Sequence, residues 1–201
     1  MTTHAPDRPQ GRQQVVRALK DAARDLLREK GSRFSVREVA ERARVNHALI
    51  YRHFGSKENL ITATMAEAAR NRLADLRSGR SPVEIYTRDT PESATILARL
   101  IMDGDTDLVA THPVMDALVA MAAADDRPPR RPPAEIRAAV AGALILGWAM
   151  FGDFLGPTAG VECRAEATEL VDRLVSALLS GGIEIPEAQA DPPTRDPQRD
   201  R

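Results

Sequence analysis

The stretch from Phe34 to Leu60 constrains the fold most, because it sets two helix starts and two helix stops within a short length of chain. Ser35 followed three residues on by Glu38 is a capping box, opening a short helix through Val39 and Ala40 that ends near Arg42. Asn46 is a second N-cap, for a helix from Ala48 to Phe54 that Gly55 stops, and Ser56 with Asn59 three on starts a further helix. Upstream, Val16, Leu19, Ala23, Leu26 and Leu27 recur at helical spacing, and Gly31 follows where a left-handed cap belongs. Two short helices joined by a tight turn and braced by a longer one form a helix-turn-helix.

The rest of the chain also reads as helical, with no strand alternation and no internal repeat, so the predicted fold class is all-α. A helix from Lys57 to about Leu76 leads into a Gly-, Pro- and Ser-rich connection at 78–91. Glu92–Met102, Asp105–Ala110 and Pro113–Ala123 read as helices, and the four prolines in Asp125–Pro133 make that stretch a loop. Two long helices follow: Ala134 to about Leu155, predicted to bury Ile136, Val140, Leu144, Trp148 and Phe151, and Arg164 to about Leu179, predicted to bury Leu170, Val171, Leu174 and Leu178. The domain reading is a disordered leader over 1–11, a helix-turn-helix head over 12–60, a larger helical body over 61–183, and a proline-rich disordered tail over 184–201.

Charge divides the same way. Residues 1–80 hold 17 Lys and Arg against 9 Asp and Glu, whereas the remainder holds 11 against 20. A basic head on an acidic body suits a head that meets phosphate. The single cysteine, Cys163, cannot form an internal disulfide, and no signal-peptide core opens the chain, so the expected location is the cytoplasm. The apolar run Ala138–Gly152 is shorter than the roughly 20 residues of a bilayer span, so no membrane partner is expected.

A recognition helix is short, amphipathic and capped so that its first turn enters a major groove. In the helix that Asn46 caps, Val45, Ile50 and Phe54 are expected to pack inward, leaving His47, Ala48, Leu49, Arg52 and His53 towards DNA. Histidine and arginine can bond base edges or phosphate, and the methyls of Ala48 or Leu49 can meet a thymine methyl.

Other chemistry finds no footing. Asp103-Gly-Asp-Thr-Asp107 imitates the start of a calcium loop but has Leu108 and Val114 where glycine and glutamate are needed. His47 and His53 do not share a helix face, and His4 and His112 are isolated, so no zinc set forms. No phosphate-binding glycine loop or nucleophile–base pair is present, so neither an enzyme nor a cofactor is expected. Glu162 beside Cys163 argues for an ordinary thiol.

The run from Phe34 to Leu60, above all Ile50-Tyr-Arg-His-Phe-Gly-Ser-Lys-Glu-Asn-Leu60, resembles the N-terminal domain of the TetR family, a likeness covering about 50 of the 201 residues with the first helix. The resemblance implies phosphate contacts from Tyr51 and Lys57 and a base contact from Arg37. The sequence departs from the family at Arg44, where the turn usually carries glycine, at a cost of about 1 kcal/mol if a left-handed conformation is kept. It departs again at Leu49, which replaces a small hydroxyl residue.

The resemblance further implies a homodimer through the last two long helices, with Ala139, Gly142, Ala143 and Gly147 allowing close approach and Leu170, Leu174 and Leu178 forming an apolar stripe. A two-fold dimer would place its recognition helices about one DNA turn apart, on an imperfect palindromic operator. Family members usually hold an inducer in the body. Met102, Met115, Met121, Trp148 and Phe151, with Phe154 and Met150, are the expected lining for a lipophilic small molecule. The function so implied is a repressor released from its operator by that ligand. The alternatives are an activator, control by a protein partner, architectural DNA binding without sequence preference, or a helical carrier or enzyme.

Overall fold

A computed structural model of the protein describes residues 9, 11–89, 91–109, 113–124 and 132–182. His4, His112, the expected tail, most of the expected leader and most of the Asp125–Pro133 loop lie outside the described residues. Among the described residues there is no strand, and the fold is all-α.

The first helix, α1 (Arg12–Lys30), buries Val15, Leu19, Ala22, Ala23, Leu26 and Leu27, and ends at Gly31 with φ 63°. The second, α2 (Val36–Ala43), starts on the expected capping box: Ser35 Oγ accepts from the Glu38 N–H at 3.2 Å, and the Glu38 carboxylate accepts from the Ser35 N–H at 2.7 Å. A bidentate pair from Arg42 to Glu29, at 2.7 and 2.9 Å, ties α2 to α1. The hydrogen bond from Lys30, then that from the Ser35 N–H, holds the Glu38 carboxyl down at about 2 against its ordinary 4.5. A depressed carboxylate stabilises the fold above its unfolded value, and that gain is lost as pH falls through the folded value. Glu38→Gln is therefore expected to destabilise the protein at neutral pH, with its difference from the parent in urea unfolding narrowing below pH 4.5. Ser35→Ala, which removes the cap itself, should cost about 1 kcal/mol.

The third helix, α3 (Ala48–Phe54), stops at Gly55, φ 80°, and α4 (Lys57–Arg77) starts on Ser56, whose hydroxyl accepts from the Asn59 N–H at 3.1 Å. Residues 78–91, expected as a plain connection, instead fold into a short α5 (Pro82–Glu84) and a π-helical turn over Ile85–Asp89. Val83, Ile85 and Tyr86 are buried there. Helix α6 (Pro91–Met102) follows, then one 3-10 turn at Thr106–Val109 where a longer helix was expected, and then α7 (Pro113–Ala123).

The long helices are α8 (Ala134–Thr158) and α9 (Arg164–Leu179). At 25 residues α8 is, by length and composition alone, apolar enough to cross a membrane, contrary to the shorter run expected. Within the chain it lies against α7 and α9. Its inward face is not the one periodicity suggested. Ala138, Ala141 and Ile145 are buried, whereas Ile136, Val140 and Phe151 stand out in solvent. On α9 the buried residues are Val171, Val175 and Leu179, and Leu170 and Leu174 are exposed. Ala138, Ala141 and Gly142 go inward on α8 with Ile145, small residues that let the neighbouring helices approach closely, while Ile136, Val140 and Phe151 fall on the outer face.

Two hydrophobic clusters result. The first joins α1 to α4 and takes in Ile96 and Leu100 of α6, while the second joins α5, the π turn, Ala94 of α6, and α7 to α9. Helix α6 thus contributes to both. Its C-terminal turn is also fastened to the α1–α2 loop: Arg33 pairs with Asp103, Ser32 donates to Asp105, and Arg99 donates to the Glu29 carbonyl at 2.6 Å. Asp103 and Asp105 of the stretch that mimics a calcium loop are engaged at this junction, and no metal-holding group occurs among the described residues.

Candidate nucleic-acid interface

The turn between α2 and α3 is built by Arg44 at φ 56°, ψ 39°, the only non-glycine residue at positive φ among those described. The Val45 N–H reaches back to the Ala40 carbonyl at 3.0 Å and the Arg44 N–H to Glu41 at 3.1 Å, closing the end of α2 in the way a left-handed residue permits. The turn therefore keeps the geometry that glycine usually supplies, with an arginine side chain added at the surface. Asn46 Oδ1 accepts from the Ala48 N–H at 2.8 Å, so it performs the capping expected of it, although His47 is the residue that borders the helix.

Ile50 is fully buried, and Val45 and Phe54 pack on the head core, as their spacing predicted. Asn46, His47, Ala48, Tyr51 and Arg52 are exposed along α3, and Arg37 is exposed on α2. Arg37, Arg44, Asn46 and His47 line one open groove across the two helices. Arg44 was expected only to disturb the turn; its exposure beside Arg37 makes it a further cation of this surface. A basic residue in place of the usual turn glycine was the signal that could have found it.

Three residues sit differently from the expectation. Leu49 is half-buried: it packs on the head core and also borders the groove that Arg37, Arg44 and His47 line. Lys57 turns inward: its ammonium donates to the carbonyls of Ser32 at 3.0 Å and Phe34 at 3.3 Å, and lies 5.4 Å from the Phe34 ring centre. These contacts hold the α1–α2 loop against the start of α4. His53 is half-buried at the far end of α3.

In the body, a cavity of about 280 Å³ opens between α4, the π turn, α6 and the 3-10 turn, lined by Met65, Ala69, Arg72, Tyr86 and Leu97 among others. None of the seven residues expected to line a pocket borders it. Met102 is 77% exposed and Phe151 52%. Met121 edges a surface groove beside Leu76. Met115 packs on the second core, and Trp148 is tied by its indole N–H to Thr168 Oγ1 at 2.9 Å. Gly142, expected at a subunit contact, is also internal, since a Cβ there would meet the Met115 methyl at 2.9 Å.

The description "bacterial regulatory proteins, tetR family" matches residues 19–64. Over 191 residues the chain is 34% identical to the HTH-type transcriptional repressor Rv3405c of Mycobacterium tuberculosis, covering 87% of this chain and 98% of that protein. The HTH-type transcriptional regulator Mb3439c of Mycobacterium bovis matches to the same extent. Among solved structures, a TetR-like transcriptional regulator from Rhodococcus sp. RHA1 superposes with a TM-score of 0.59 at 19% identity, covering 86% of this chain and 99% of that one. The fatty acid degradation regulator FadR from Bacillus halodurans gives 0.54 at 15% identity, covering 88% and 100%. At these identities the structural matches speak to the fold.

Proposed function

The chain belongs to the tetR family of bacterial regulatory proteins and is a DNA-binding transcriptional regulator, and on that premise we propose that it is a cytoplasmic homodimeric repressor freed from a palindromic operator by a small ligand. The observation that carries the reading is the open groove in which the first turn of α3 meets two arginines, Arg37 and Arg44, against one carboxylate, Glu41. Arginine forks onto guanine or phosphate, and His47 at the start of α3 stands where a recognition helix enters the groove. Tyr51, exposed on the same helix, positions the head on phosphate.

Repression is favoured over activation by the name of the Mycobacterium tuberculosis relative. Dimerisation is supported by the outer faces of α8 and α9, where Val140, Phe151, Phe154, Leu170 and Leu174 stand uncovered in the protomer. Ala139 and Ala143, exposed on α8, leave room for a second helix, and Gly147 has nothing near where a Cβ would project. Ligand release is supported by α6: Ser93 and Leu97 face the cavity while Ile96 and Leu100 belong to the head core, so an occupant that shifts α6 bears on the heads.

The test is a fluorescence-anisotropy titration against the DNA flanking the protein's own gene, with random duplex as competitor and salt varied. Specific binding at one palindromic site is expected. Tyr51→Phe should weaken operator and random duplex alike, whereas Arg37→Ala should cost about 1–3 kcal/mol at particular base pairs and little on random duplex. Equal losses on both duplexes for Arg37→Ala would remove it from base reading.

A further inference from the structure

Arg72 of α4 is 5% exposed and borders the body cavity. Its Nη1 donates to Ser93 Oγ at 2.8 Å, and its guanidinium lies 5.3 Å from the Tyr86 ring centre. Its Nε–H has no partner, and no carboxylate pairs with it among the described residues. The two other charged residues of the lining, Arg70 and Asp107, are exposed. A buried guanidinium without a counter-ion is unfavourable, and an oxyanion accepting from its free donor offsets that cost. The remaining lining is predominantly apolar: Met65, Ala66, Ala69, Leu97 and Leu108.

We propose that this cavity binds an amphipathic organic anion, with its carboxylate on Arg72 and its apolar body against Met65, Leu97 and Leu108. The volume, about 280 Å³, lies at the small end of ligand sites, which favours a single short chain or ring system over a large drug-like molecule. Tyr86 completes the polar end. Burial raises its hydroxyl pKa, so it stays protonated and able to donate to the same head group. The inference rests on the ligand-release reading above and gives it a chemical class.

The test is calorimetric titration of the full-length protein with decanoate, decanol and decylamine, each below its aggregation limit, with operator anisotropy read in parallel samples. Decanoate is expected to bind once per protomer and at least tenfold tighter than decanol, and decylamine least well, as hydrogen bonds to a charged group would give. Arg72→Met should abolish the preference for decanoate over decanol while leaving the ligand-free melting temperature unchanged or higher, because it removes a lone buried charge. If that variant does not fold, Arg72→Lys, which keeps the charge and loses the Nε donor, should still narrow the preference. Equal affinity for decanoate and decanol in the unmodified protein, or a preference that survives Arg72→Met, overturns the proposal. Binding of decanoate that leaves the operator complex intact upholds the site and its anion preference and defeats ligand release. Specific operator binding with no decanoate binding leaves the regulator and removes the anion.

Discussion

Glutamate at both Leu170 and Leu174 is expected to leave the protein monomeric and to weaken its hold on a palindromic operator by about 10²-fold or more, the gain that simultaneous engagement of two half-sites supplies. Both leucines are exposed on α9, as are Val140 and Phe151 on α8, the helix against which α9 packs. Burying two carboxylates in an apolar contact without partners opposes association strongly. The protomer itself should survive, because the residues that seat α9 are Val171, Val175 and Leu179 and remain in place. Light scattering gives the subunit count and anisotropy the affinity. A soluble dimer of the double variant would show that the protomers meet through another face.

Arg137→Ala should lower the stability by about 3 kcal/mol or more, read as a fall in the urea midpoint at fixed protein concentration. Arg137 is 2% exposed at the start of α8. Its guanidinium donates to the carbonyls of Pro132 at 3.1 Å, Ala122 at 2.7 Å, Leu178 at 3.4 Å and Leu179 at 3.2 Å. Those acceptors include the C-terminal turns of α7 and α9, whose carbonyls lack helical partners and carry partial negative charge. One side chain thus satisfies the ends of two helices and anchors a third, and truncating it strands several buried acceptors together. A loss below 1 kcal/mol would mean that water replaces the guanidinium at those carbonyls.

The head was legible because its signals are local. Ser35 with Glu38, Gly31, Gly55 and Ser56 each act on backbone groups within a few residues, so their effect can be read from the neighbouring sequence. The body was less so. Helix α8 is apolar nearly all round, and which face turns inward depends on how closely α7 and α9 approach, a tertiary fact that favoured Ala138 and Ala141 over Ile136 and Val140. Segment 78–91 looked like a connection by composition, although Ser81 capping a helix with Pro82 in its first turn was a readable start. Lys57 illustrates the same limit at the candidate site. Its position at a helix N-terminus suggests an anion contact, while the carbonyls of Ser32 and Phe34 that occupy it come from 25 and 23 residues away. Arg72 gave no signal at all, since a lone arginine in a mixed helix reads as surface until the fold closes over it.

The first hydrophobic core is completed by Ile96 and Leu100, which lie in sequence well after the helices they support. The head is therefore not a portable module. Transplanting its operator preference onto another body of the same fold requires carrying those two positions of α6, together with the Asp103 and Asp105 fastening, or refitting their counterparts in the recipient. The same coupling ties the packing of the head to a segment distant from α3 in sequence: a change that repacks the underside of α1 or α4 calls for a matching change in α6 before the recombined chain is as well packed as its parent.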